Sequence, residues 1–362
     1  ALFFVAKCLT ITHEEQNKTL VEKELKSNNI DWDSVVKVST AHFVFPALYC
    51  NLLRADFLQY LPEELVNYMI HITDLNRDRN QQIIDQAKEI NELLLKNNIT
   101  PIFLKGTGNL LEGLYEDIAE RMVGDIDFIV PKDSYNKAFE ILLQNNYTKF
   151  HNKDYEFPQF KHKPRLIKND KIAALEVHKE FLKEKYSEDF NFETVKESIQ
   201  TSNNISFLSY KHQLCLSVIA KQINDHGNLF KNMALRNAYD VFLLSKQTVA
   251  SKAMGSLKDL KEPLECFIAT TYEVFNMPAS LQYNSTKAIT TFLKRFQIQF
   301  SNPSKTKRRH RILNTKILLQ IRLEILWKAV VDRKTRIWVF YRLSDPKWYQ
   351  EKWKQTITAL IT

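Results

Sequence analysis

Across residues 78–97 the apolar positions Ile83, Ile84, Ala87, Ile90, Leu93 and Leu94 recur at spacings of three and four, the period of one helix face. Residues 1–98 read as helical throughout. Asp31-Trp32-Asp33-Ser34 offers a capped start before Val35-Val36, and Pro62 stands at a first helical turn, where its missing N–H is not needed. The period changes after the polar break Lys96-Asn97-Asn98. Thr100-Pro101-Ile102-Phe103-Leu104, bounded by Gly106, predicts a short buried strand, followed by a helix over 107–114. A strand is predicted over 125–130, then a helix from the cap Asp133 to Leu143. The runs 164–168 and 171–178 read as strands joined by Asn169-Asp170, a two-residue hairpin turn. From about residue 186 helical spacing returns, over 210–224, 232–244 and from Pro263 to Phe275. Ser301–Lys305 has the composition of a linker, and a long helical segment carrying Trp327, Trp338, Trp348 and Trp353 follows. Those tryptophans are expected to anchor a core.

These elements predict an α+β fold in three parts. A small mixed-sheet core over 99–185 is flanked by an N-terminal helical region, 1–98, and a C-terminal helical domain with a basic tail, 186–362. The length of 362 residues allows two or three such parts, at about 150 residues per domain.

Charge changes the picture only at the tail. From Pro303 to Thr362 there are 15 Lys plus Arg against 4 Asp plus Glu, whereas the whole chain carries a net +9. The cluster Lys305, Lys307, Arg308, Arg309 and Arg311 is therefore a candidate site for RNA or another polyanion. No apolar run approaches the roughly 20 residues needed to span a bilayer, and no membrane partner is expected. Ala1–Ala6 lacks the basic n-region and the cleavage site of a signal peptide. Cys8, Cys50, Cys215 and Cys266 form no metal-binding spacing and are expected to be reduced core thiols of a cytoplasmic protein.

The chemistry concentrates in Asp125-Ile126-Asp127. On a strand these two carboxylates project to one face while Ile126, Phe128 and Val130 face a core. Side by side they repel unless a cation lies between them, and a hard divalent metal with oxygen ligands meets that need. Of only six glycines in the chain, Gly106, Gly108, Gly113 and Gly124 lie just before this strand, marking sharp turns or close approach to a ligand. In Lys171–His178, alternation puts Glu176 and His178 on one face, and Glu176 between Leu175 and Val177 calls for a partner or a metal. Asp125, Asp127 and Glu176 are thus the expected catalytic carboxylates and ligands of Mg²⁺ or Mn²⁺, two of which could be held as in in-line displacement at phosphorus. Lys105-Gly106-Thr107, at a strand-to-helix junction, is suited to bind triphosphate through backbone N–H groups, the Thr107 hydroxyl and the Lys105 ammonium. Arg121 stands where it reaches a phosphate or pairs with an acid.

The sequence Leu104-Lys105-Gly106, Leu114-Tyr115, Arg121-Met122-Val123-Gly124-Asp125-Ile126-Asp127-Phe128-Ile129-Val130 and Leu175-Glu176-Val177-His178 resembles the polymerase-β-like nucleotidyltransferase superfamily. More narrowly, it is similar to a bacterial family of uncharacterised nucleotidyltransferases. The resemblance implies metal ligation by Asp125 and Asp127, a third catalytic carboxylate at Glu176, and phosphate contacts at Gly106 and Thr107. It also directs attention to His226, Arg236 and Asp240 in a downstream helical block, where His226 and Arg236 could touch nucleotide and Asp240 is more simply a helix-packing residue. The long gap from Gly106 to Asp125 and the Thr107 in place of the more frequent Ser depart from the wider superfamily.

The expected function is therefore a Mg²⁺-dependent nucleotidyltransferase, an enzyme that moves NMP from an NTP to a hydroxyl on a small molecule, a protein or RNA. The main alternative is an inactive binding or regulatory module of the same fold, antitoxin-like in role. A metal-dependent nuclease is a third reading, less suited to the Lys105-Gly106-Thr107 turn.

Overall fold

The computed structural model describes residues 1–150, 160–255, 257–346 and 348–350. The chain forms two compact units, one of residues 1–150 and 161–301, the other of residues 151–160 and 302–362.

Among the described residues of the first unit seven strands make one mixed sheet. They are β1 (Ile102–Phe103), β2 (Asp125–Ile129), β3 (Thr148–Lys149), β4 (Leu166–Ile167), β5 (Ala174–His178), β6 (Gln200–Ser202) and β7 (Ile205–Phe207), in the order β3-β4-β5-β2-β1-β7-β6. The central pair β2 and β5 runs parallel, with Ile126 beside Leu175 and Phe128 beside Val177. All four side chains are fully buried, so this face of the sheet is core. The Phe103 ring on β1, in register with Phe128, lies 6.0 Å from the Phe128 ring. The other face carries Asp125, Asp127 and Ile129 on β2 and Ala174, Glu176 and His178 on β5. The α+β architecture with flanking helices is as the pattern predicts.

The Leu2–Cys8, Glu15–Lys26, Trp32–Ala41 and Phe45–Arg54 helices precede a helix of 33 residues, Glu63–Leu95. Asp31 caps its helix by accepting from the Ser34 N–H, as expected from its position. The long helix does more than cover the sheet. Asn76 Nδ2 donates to the Ala119 carbonyl at 2.7 Å, and Asn80 Nδ2 donates to the carbonyls of Ile118 and Arg121 at 2.6 and 2.7 Å. Gln86 Nε2 holds the Ala173 carbonyl at 2.9 Å. These buried amides satisfy backbone groups that would otherwise be orphaned, and they fix the segments leading into both β2 and β5.

Two expectations change. The stretch after residue 186 is not helical throughout, because β6 and β7 form a hairpin that extends the sheet beside β1. Its turn is Asn203-Asn204, both in the left-handed region at φ 50° and 62°, the conformation of a two-residue hairpin loop that Asn tolerates. The expected linker at 301–305 is a single-residue break between helices. Asn302 caps the Pro303–Val331 helix by accepting from the Lys305 N–H, and Pro303 takes the first helical position.

In the second unit the Pro303–Val331 and Arg333–Leu343 helices follow each other, the latter capped by Asp332. No residue of the longer helix is buried. Trp327 is 72% exposed, and Trp338 and Trp348 are half-buried, so the tryptophans are not the core anchors expected. The apolar side chains here are spread around the helix instead of forming one stripe to bury. Trp353 lies outside the described residues. Among the described residues no helix is long and apolar enough to cross a membrane. All four cysteines are buried free thiols.

Candidate active site

The site is assembled where β1, β2 and β5 lie side by side. Parallel pairing puts Asp127 directly beside Glu176, and Asp125 beside Ala174. The three carboxylates therefore share the sheet face that alternation predicts. His178, two positions beyond Glu176, turns its Nε2 to Asp127 Oδ1 at 2.9 Å and to Glu176 Oε2 at 3.4 Å. Its Nδ1 is buried with no hydrogen-bond partner among the described residues.

β1 delivers the first cation. The Leu104 N–H donates to the Asp127 carbonyl at 2.9 Å, after which the chain turns through Lys105 at φ 52° into the Lys105–Glu112 helix. A left-handed lysine stores local strain of the kind found at functional turns. The turn aims the side chain at the acids, and Lys105 Nζ donates to Asp127 Oδ1 at 2.6 Å. Two glycines make the approach possible. A Cβ at Gly106 would lie 2.9 Å from Val123 Cγ2, and one at Gly108 would lie 2.7 Å from the Phe103 carbonyl oxygen.

Thr107 does not stand where a phosphate ligand is expected. It is buried, and its Oγ1 donates to the Asp125 carbonyl at 3.0 Å. A hydroxyl has one hydrogen to give, and this one is engaged in tying the helix to the start of β2. Arg121 resolves toward an acid. Its Nε donates to both Asp240 oxygens, at 2.9 and 3.1 Å, and its Nη1 to the Met122 carbonyl at 2.8 Å. Tyr115 adds its hydroxyl to Asp240 at 2.7 Å, so Asp240 anchors a buried network as well as a helix. Arg236 stacks on Phe43 with its guanidinium 5.0 Å from the ring centroid, and His226 lies beside Lys183 and Asp225. Among the described residues neither makes a hydrogen bond or ion pair with Asp125, Asp127 or Glu176.

Two basic residues at the site escaped the sequence reading. Arg165, next to β4, donates from Nε to Glu176 Oε1 at 2.6 Å and from Nη2 to Asp125 Oδ2 at 2.9 Å. A signal existed: the hairpin expected at Asn169-Asp170 sets position 165 opposite 174, on the face of Glu176, and the observed register, Leu166 beside Leu175, is shifted by two and keeps that face. Lys161 is half-buried near Lys105, Asp127 and Glu176. Burial and the Lys105 charge lower its ammonium below the ordinary lysine range, and nothing in the local sequence announces it.

These charges divide the acids. Burial would raise the Glu176 carboxyl, but the His178 hydrogen bond and the Lys105 charge bring it well below the usual carboxylate range. Asp127 goes the same way, the Lys105 ammonium and His178 outweighing its burial. Asp125 goes the other way: burial holds its carboxyl above the ordinary value despite Arg165.

The donor set suits a divalent cation. Asp127, Glu176 and His178 each present a ligand atom, all within 4.8 Å of one another, and Asp125 stands on the same face. Carboxylate oxygens match Mg²⁺ or Mn²⁺, and an imidazole nitrogen is the more compatible with Mn²⁺. When bound, such an ion would neutralise phosphate charge and lower the pKa of an attacking hydroxyl.

The family model described as uncharacterised nucleotidyltransferase matches residues 28–271 of the chain. No curated protein matches it. The match spans most of the chain, including every residue of the acid face, and the protein belongs to this uncharacterised nucleotidyltransferase family.

Proposed function

We propose, with membership of that family as the premise, that the protein transfers NMP from an NTP to a hydroxyl acceptor and releases pyrophosphate, using Mg²⁺ or Mn²⁺. The observation that carries the reading is the register of two parallel strands, which sets Asp127 against Glu176 with Asp125 two residues away on one face. Adjacent ionised carboxylates beside a strained strand-to-helix turn suit the binding of a metal–triphosphate.

In this reading Asp127 and Glu176 hold the cation together with Asp125. His178 orients Asp127 through its Nε2. Lys105, next to the Gly106 turn, neutralises phosphate oxygens. The acceptor oxygen attacks the α-phosphorus, the bond to the β-phosphate bridging oxygen breaks, and pyrophosphate carries that electron pair away. Asp125, whose carboxyl is held above the ordinary range, is placed to take the proton of the incoming hydroxyl. Positioning and charge neutralisation supply most of the acceleration, as in phosphoryl transfer generally. The surplus of basic residues from Pro303 onward favours RNA or another polyanion as the acceptor.

A second reading has one observation behind it. Lys105 and Arg165 pair with all three acids, so the face can persist without a metal, as it would in a regulatory module of this fold. Binding of a non-hydrolysable NTP separates the two. We expect Mg²⁺ or Mn²⁺ to be required, and binding to be lost in an Asp125→Ala/Asp127→Ala variant. Metal-independent binding, unaffected by the double substitution, would overturn the enzymatic reading.

A further inference from the structure

We infer that Arg165 is a built-in counter-ion of the acid face, which the divalent cation must displace in order to bind, so that the metal and the nucleotide load together. The inference rests on the metal-dependent reading above. Arg165 bridges the two carboxylates that flank Asp127, with Nε on Glu176 Oε1 at 2.6 Å and Nη2 on Asp125 Oδ2 at 2.9 Å. A cation held jointly by Asp125, Asp127 and Glu176 sits among the carboxylates that this guanidinium spans and competes with its charge for them.

Charge points the same way. The three carboxylates face three cations, Lys105, Lys161 and Arg165, so their charges already balance. A divalent ion added to that set would leave two positive charges over, whereas one that replaces Arg165 leaves one. A guanidinium does not lose its proton in a protein, so it can yield only by moving away.

Of the two cations paired with the acids, Arg165 is the one able to move. Its side chain is 48% exposed, against 26% for Lys105. Lys105 sits at the first position of a helix whose Thr107 is tied to β2. The Arg165 backbone is held, its carbonyl accepting from the Phe150 N–H at 2.9 Å and the nearby Lys163 N–H donating to the Val177 carbonyl at 3.1 Å, so it is the half-exposed side chain that swings. Once released it is a planar, multiply donating cation beside the site, well suited to the phosphates that a metal–NTP complex brings. The nucleotide then favours the released state of Arg165 and the metal requires it, so each tightens the binding of the other.

The test is titration of the full chain with Mn²⁺ alone, by calorimetry or electron paramagnetic resonance, then again with a non-hydrolysable NTP. Arg165→Gln should bind Mn²⁺ alone about tenfold more tightly than the wild type, a usual size for coupling between two ligands. The extra tightening that the nucleotide gives the wild type should shrink in that variant. Arg165→Lys, which keeps the charge, should resemble the wild type. A variant that merely folded poorly would bind the metal less well, so the direction of the change separates the two causes. Equal or weaker Mn²⁺ binding in Arg165→Gln, beside measurable binding in the wild type, overturns the inference and leaves the nucleotidyltransferase reading standing. No Mn²⁺ binding by any variant, with or without nucleotide, overturns both.

Discussion

Asp127 Oδ1 accepts from Lys105 and faces His178, so one oxygen joins three segments of the chain at the acid face. A second residue-scale knot lies behind it, where Arg121, Asp240, Tyr115 and Asn109 form a buried network. Asp240→Asn would leave the Arg121 guanidinium buried without a charge partner, and we expect a loss of about 3–5 kcal/mol in urea unfolding. Adding Arg121→Met should recover a good part of that loss. Additive losses from the two substitutions would show that the pair is not coupled. At this scale the sequence is legible where the rule is local. Alternation along one strand is enough to align Asp125 with Asp127 and Glu176 with His178. It says nothing of Thr107, whose hydroxyl suits a phosphate in principle but is claimed by the Asp125 carbonyl. Nor does it reveal Lys161, which reaches the site only through tertiary packing.

Elements carry the site through close approach. The Lys105–Glu112 helix packs on β1 because Gly108 has no side chain, a Cβ there falling 2.7 Å from the Phe103 carbonyl oxygen. Since that neighbour is backbone, it cannot swing away. Gly108→Ala should destabilise the fold by roughly 1–3 kcal/mol, as overpacking generally does. Differential scanning calorimetry reads this as a lower melting temperature, and an unchanged one would mean that the helix shifts at no cost. The strongly periodic Glu63–Leu95 helix and the apolar β2 were readable because their patterns persist over many residues. The β6–β7 hairpin was not, since three-residue strands are too short to show a period. Only Asn203-Asn204 marked it. The β4–β5 hairpin was readable but its register was not: Leu166 lies beside Leu175, two residues from the pairing that a two-residue turn at Asn169-Asp170 predicts, and that shift sets Arg165 opposite Glu176.

At the scale of the whole molecule the chain divides its labour by charge, with a nearly balanced first 302 residues and a basic remainder. The composition made that division visible, but not the exposure of the tail helix, whose apolar residues read as core until their spread around the helix is seen. If RNA is the acceptor, glutamate at Arg308, Arg309 and Arg311 should weaken RNA binding at least tenfold near 0.1 M salt and flatten its salt dependence. Unchanged binding across a salt series would remove RNA from the account. We place nucleotidyl transfer at the paired carboxylates of β2 and β5. Its most direct test supplies each NTP, labelled separately at the α- and the γ-phosphate, with Mg²⁺ or Mn²⁺ and a cell extract. We expect α-label to move to an acceptor while γ-label leaves as pyrophosphate, and Asp127→Asn to reduce the transfer by about a thousandfold or more. Transfer of the γ-label, or α-transfer undiminished in Asp127→Asn, would contradict it.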